Sequence, residues 1–235
     1  MAVARSPRSL DYAHFVRYAR DDSTFVRYAR DDNLCARDDS VKTVDIEQIL
    51  PFEVWERVRP VLRPLFIHEK TRRRLALGEH LTFLFENAQS VWYQVEEMLR
   101  VERIGDRAAI RHEVDTYNEL IPREDELSAT LLIEYSDAAE RDLALKGLAG
   151  LERHVHLNAD GRKVDAVFAG SQISADAVSS VQFVRFPLPR GLGEKLVELA
   201  ERGALSLEVD HPMLAARAAI DVALAQALRE DLTAS

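Results

Sequence analysis

Cysteine is almost missing: Cys35 is the only one in 235 residues. A lone thiol forms no internal disulfide and no zinc site of the multi-cysteine kind, which suits a reducing compartment. Basic charge is short as well. Lys and Arg number 31 against 40 Asp and Glu, for a net charge of −9. The broad cationic face that nucleic-acid phosphates or an anionic membrane surface demand is therefore not expected. No run approaches the roughly 18 apolar residues that span a bilayer. Residues 1–5 lead into no apolar signal-peptide core. Together these absences predict a cytoplasmic protein that engages neither nucleic acid nor membrane. There are only nine glycines, and none builds a phosphate loop after a predicted strand; Gly191-Leu192-Gly193 lacks the third glycine of a dinucleotide fingerprint. What is plentiful is core material. Hydrophobic residues make up 47% and charged residues 30%, enough for a buried core under a solvated surface.

Residues 1–43 differ from the rest. Residues 15–22, Phe-Val-Arg-Tyr-Ala-Arg-Asp-Asp, recur as residues 25–32, and a degenerate copy stands at 36–39. A ten-residue period is too short for a solenoid unit. This stretch reads as a repetitive extension, disordered or weakly helical, with a linear docking element as the alternative. Residues 44–235 read as one α+β domain. Pro51 opens a helix carrying Phe52, Trp55, Val58 and Leu62, which Pro60 and Pro64 should break or kink. A hairpin about Gly78-Glu79 joins arms over residues 72–77 and 80–86. Residues 90–104 form a helix with Val91, Val95, Met98 and Leu99 inward and Glu96 four before Arg100 on the exposed side. Ile110, Val114, Tyr117 and Ile121 mark a second helix, ended by Pro122. Clean alternation over 127–135 predicts a central strand. Asp137 and Glu140 start a further helix. A hairpin about Asp160-Gly161, strands over 181–188 and 205–209, a helix ending at Gly203 and a last helix capped by Asp221 complete the pattern. The hairpins predict a mainly antiparallel sheet holding the segments near 81–86, 128–135, 180–188 and 204–210, with helices packed on it.

Three clusters carry potential chemistry. Arg72 and Arg74 share one face of the predicted strand, near His80. Two planar guanidiniums suit an anion, whereas a charged edge strand guards against self-pairing; both fit the residues. On the 90–104 helix, Gln94, Glu97 and Arg100 repeat at i, i+3, either as a ligand row or as a ladder of surface ion pairs. The short link between hairpin and helix suggests one site uniting Arg72, Arg74, His80, Gln94, Glu97 and Arg100. His154 and His156 stand two apart on a predicted strand, so both rings would point one way; a metal would need His211 or Asp210 as well, and no metal is assigned. No nucleophile elbow surrounds Ser171, Ser174, Ser179 or Ser180.

With these residues in view, the body resembles the bacterial family called domain of unknown function 3501. Residues 72–87, 93–104, 117–122, 129–134 and 181–186, with Asp210-His211-Pro212, carry the likeness in consistent order across about 44–232. The resemblance implies no catalytic residue and no cofactor. Genes of the family accompany rubrerythrin-like and iron–sulfur oxidoreductase genes, which implies redox or oxidative-stress partners. Two functions are open: an accessory or ligand-binding protein serving a redox system, or an enzyme acting on a small anionic substrate. A pocket uniting the arginine strand with the 90–104 helix would favour the second, and an exposed apolar patch without a deep pocket the first.

Overall fold

The computed structural model describes residues 43–169 and 178–233; the repeats, Cys35, Ser171 and Ser174 lie outside them. Among the described residues stand six α-helices and nine strands, all pairs antiparallel, so the α+β expectation holds. In chain order the helices are α1 (Phe52–Arg72), α2 (Ala88–Glu102), α3 (Arg107–Asn118), α4 (Ala138–Gly147), α5 (Leu192–Glu201) and α6 (Val222–Thr233). The strands are β1 (Arg74–Leu77), β2 (Leu81–Phe85), β3 (Glu126–Ile133), β4 (Val155–Ala159), β5 (Arg162–Asp165), β6 (Val167–Phe168), β7 (Val181–Pro187), β8 (Leu205–His211) and β9 (Leu214–Ala219). None of these helices is long and apolar enough to cross a membrane.

The chain divides into two compact units. The first combines residues 43–67 with Ala88–Glu119. Its core is aromatic. Trp55 and Phe66 of α1 meet Trp92 and Tyr93 of α2, with Trp55 edge-on to Trp92 at 5.5 Å and Phe66 stacked on Tyr93 at 4.4 Å. Helix α1 does not break at its prolines but runs 21 residues through both. Its buried residues Trp55, Val58, Leu62 and Phe66 keep helical spacing, while Pro60 and Pro64 lie on the exposed side. There the carbonyls that a proline leaves unbonded can turn to water, so the helix survives the lost hydrogen bonds. The Val44 backbone and the Asn118 side-chain amide exchange two hydrogen bonds of 2.8 Å, closing the unit.

The second unit combines His68–Asn87 with the chain from Leu120 onward. One sheet has the order β1-β2-β3-β7-β6 and the other β5-β4-β8-β9. The segment near 204–210, expected in one sheet with the other three segments, belongs instead to the second sheet. Helix α5 intervenes between β7 and β8, and β8 pairs with β4 rather than β7. Strands β5 and β6 are nearly one strand that passes from sheet to sheet at Ala166, where its N–H bonds to Val155 O at 2.9 Å. Leu77, Phe83, Phe85, Leu131, Val184 and Phe186 from the first sheet face Leu157, Leu205 and Leu207 from the second, with α5 and α6 leucines, in one core. The β1–β2 hairpin turns at Gly78, whose φ of 68° suits glycine.

Candidate functional site

Strand β3 is central in its sheet, so its side chains are fixed from both sides by β2 and β7. Just past its end the chain runs Glu134-Tyr135-Ser136 and enters α4, whose first turn is held by Asp137 accepting the Glu140 N–H at 2.9 Å. Arg141 follows one turn later. Around this exit lies an open, wide-mouthed cleft of about 470 Å³, lined among others by Leu132, Glu134, Tyr135, Arg141, Ser180 and Val181. Leu132 and Val181 are cross-strand partners, so the apolar part of the lining is set by sheet register.

Two of the sequence-derived residues adjoin this cleft. Arg74 reaches Glu134 at 3.2 Å, and Thr82 donates to the same carboxylate oxygen at 2.6 Å. His80 stacks on Tyr135, ring centroids 3.9 Å apart at 12°. Its Nδ1 faces the Glu134 carbonyl oxygen at 3.1 Å, and since that oxygen only accepts, Nδ1 carries the hydrogen. Arg141 has no ion-pair partner among the described residues.

Arg72 and Arg74 do not share a strand face. Helix α1 runs to Arg72, and β1 starts only at Arg74. The local apolar alternation that suggested a strand from residue 72 yields to the helix, whose last turn is held by ion pairs. Arg72 meets Glu69 at 3.1 Å. Arg73, 3% exposed, is clamped between Glu69 at 2.7 Å and Asp231, and Asn87 donates to that same Asp231 at 3.1 Å. Burial works against the Arg73 charge, but Asp231 and Glu69 outweigh it and hold the guanidinium protonated. The arginine run is thus a structural clamp at Arg73 with an exposed pair at Arg74.

Gln94, Glu97 and Arg100 belong to the other unit. Glu97 receives a two-pronged contact from Arg59, at 2.6 and 2.9 Å. Arg100 stands 3.7 Å from both Glu97 and Glu56. Gln94 donates back to the Ser90 carbonyl at 3.2 Å. Burial raises the Glu97 carboxyl, but Arg59 more than reverses it, and its proton affinity ends below the usual range. Ion pairs thus engage Glu97 and Arg100, and Gln94 turns back onto its own helix.

Glu96 corrects the sequence reading most sharply. Rather than facing solvent opposite Arg100, it is 2% exposed and accepts the Leu50 N–H at 2.7 Å. Burial pushes its carboxyl up to about 8, against the pull of that hydrogen bond and with help from the Glu97 charge. It lies four residues after the buried Trp92, a signal the simple Val91–Val95–Leu99 stripe concealed.

The histidines also move. His154 precedes β4, which begins at Val155. His154 and His156 converge on Asp210: Nδ1 of His154 lies 2.9 Å and Nε2 of His156 3.3 Å from Oδ1. Asp165 faces the other nitrogen of His156 at 2.7 Å, and Lys163 donates to Asp210 at 2.8 Å. Lys163 first, then His154, hold the Asp210 carboxyl well below the usual range. Among the described residues no group of three or more His, Cys, Asp or Glu is arranged to hold a metal. The cluster ties β4, β5 and β8 together.

A family described as protein of unknown function (DUF3501) matches residues 43–232. Among solved structures, the chain is similar to a novel protein of unknown function from Burkholderia pseudomallei K96243. The identity is 36% and the TM-score 0.73, over 81% of this chain and 99% of that chain. No curated protein matches.

Proposed function

The chain belongs to the DUF3501 family of unknown function, and we propose that it is a ligand-binding accessory protein whose cleft beyond β3 takes a small anion. The observation that carries this reading is Arg141. It lines a concave surface, has no ion-pair partner among the described residues, and shares that lining with Tyr135, whose ring is stacked on His80. Arginine is permanently charged, and its planar donors match a carboxylate or similar oxyanion. Arg74, by contrast, is occupied by Glu134 and contributes little net charge. The cleft is open rather than enclosed, and Phe52, Leu65 and Ile67 of α1 are exposed. Both features support binding and docking over catalysis.

We place this role in the cytoplasm of a bacterium, in service of a redox or oxidative-stress system with iron–sulfur or rubrerythrin-like partners. That association rests on the gene context of the family alone. A second reading, an enzyme acting on a small anionic substrate, is favoured by His80, whose Nδ1–H···O contact with Glu134 leaves the other nitrogen as a base.

Native mass spectrometry of the protein purified from its own host tests the binding reading. A small anion should be retained by the wild type and lost from Arg141→Ala. An identical retained mass in both proteins, or no anion in the wild type, removes the cleft from consideration. Turnover of that anion by the wild type, abolished in His80→Ala, would select the enzyme instead.

A further inference from the structure

We infer that the occupant of this cleft is a ring-bearing monocarboxylate, an aromatic or heteroaromatic acid, with its carboxylate on Arg141 and its ring against Tyr135; this rests on the anion-binding reading above. The argument starts with Tyr135. Its ring is fixed before any ligand arrives, because His80 stacks on one face at 3.9 Å and nearly parallel. His80 is itself fixed twice, through Nδ1 to the Glu134 carbonyl at 3.1 Å and through its own carbonyl accepting the Glu134 N–H at 2.7 Å. A flat ring that is already immobilised loses little freedom on contact, so a second flat ring binds it at low entropic cost. The apolar partners Leu132 and Val181 extend the same lining, suiting a hydrocarbon ring rather than a heavily hydrated solute.

The charge of the occupant follows from the same wall. Arg141 offers one cation without an ion-pair partner among the described residues, while Glu134 lines the cleft with a carboxylate that Arg74 and Thr82 already hold. A dianion such as a phosphate monoester would meet Glu134 with only one guanidinium to offset it. A monoanion balances Arg141 alone. The volume, about 470 Å³, lies in the lower part of the range for small-molecule sites.

The test uses the full chain and three probes: benzoate, cyclohexanecarboxylate and benzamide, titrated by ligand-observed NMR. Benzoate should bind about ten-fold more tightly than cyclohexanecarboxylate, the factor an added ring–ring contact supplies. Benzamide, which lacks the charge, should bind at least about ten-fold more weakly than benzoate. In Arg141→Ala the advantage of benzoate over benzamide should vanish. In Tyr135→Leu the two carboxylates should become equal. Equal binding of both carboxylates by the wild type, lost in Arg141→Ala, would overturn the ring preference and leave the anion cleft standing. Failure of the wild type to bind either carboxylate, or binding indifferent to Arg141, would overturn both. The comparison of probes on the wild type decides the matter even if a variant fails to fold.

Discussion

Replacing Glu96 by Gln should stabilise the protein, and by an amount that grows with pH. The folded-state carboxyl titrates near 8, against 4.5 for an ordinary glutamate. Because the folded value is the higher one, the folded state holds a proton that the unfolded state has lost throughout that window. The contribution of this group to stability is therefore greatest below about pH 4.5 and declines as pH rises, by about 1.4 kcal/mol per unit, until the folded group ionises near 8. The accumulated loss is about 3 kcal/mol at pH 7 and about 5 kcal/mol above pH 8. Gln has nearly the same shape and keeps a carbonyl oxygen to accept the Leu50 N–H, but it never ionises. The variant should match the wild type near pH 4, exceed it by about 3 kcal/mol at pH 7, and gain nothing further above pH 9. Urea unfolding followed by tryptophan fluorescence is the suitable assay. The two tryptophans of the chain, Trp55 and Trp92, both lie in the unit that contains Glu96. A difference between the proteins that stays flat from pH 5 to 8 would refute the reasoning, as would a variant less stable than wild type at pH 8.

Three further substitutions probe the arginine clamp and the proline-bearing helix. Asp231→Ala leaves the buried Arg73 guanidinium with Glu69 as its remaining ion-pair partner and should cost about 3 kcal/mol in urea unfolding followed by circular dichroism, whereas Arg74→Ala, an exposed pair, should cost less than about 1 kcal/mol; equal costs would mean that burial does not separate the two arginines. Pro60→Ala restores a helix N–H and removes a ring from mid-helix, so the tryptophan-monitored transition should shift to higher urea by the equivalent of about 1–3 kcal/mol; a lower midpoint would show that α1 depends on the ring.

Local signals in the sequence carried most of the architecture. The Gly78 turn, the alternation of β3, and the caps at Asp137 and Asp221 are each specified by residues within a few positions, and each appears where expected. The errors share a different origin. Arg73 is buried against a partner 158 positions away, Asp231, which the strand pattern from Arg72 had no means of revealing. Glu96 is buried by the segment around Leu50, 46 positions earlier. His154 and His156 face Asp210 only because β4 pairs with β8, a choice no short motif encodes. For the candidate site, Arg74 and His80 were legible as charged and aromatic residues flanking a turn. Arg141 was not, because what distinguishes it is the lack of an ion-pair partner among the described residues, and that is a property of the folded chain alone.

The passage of β5–β6 from one sheet to the other has a consequence for proofreading during folding. A strand confined to one sheet can slip by a residue at the expense of that sheet only. Here a slip of β5 against β4 would turn Val164 out of the core and, through the single residue Ala166, drag Val167 and Phe168 off their partners Arg185 and Val184. An alignment error is thereby charged twice, and the two sheets check each other's register through one shared thread.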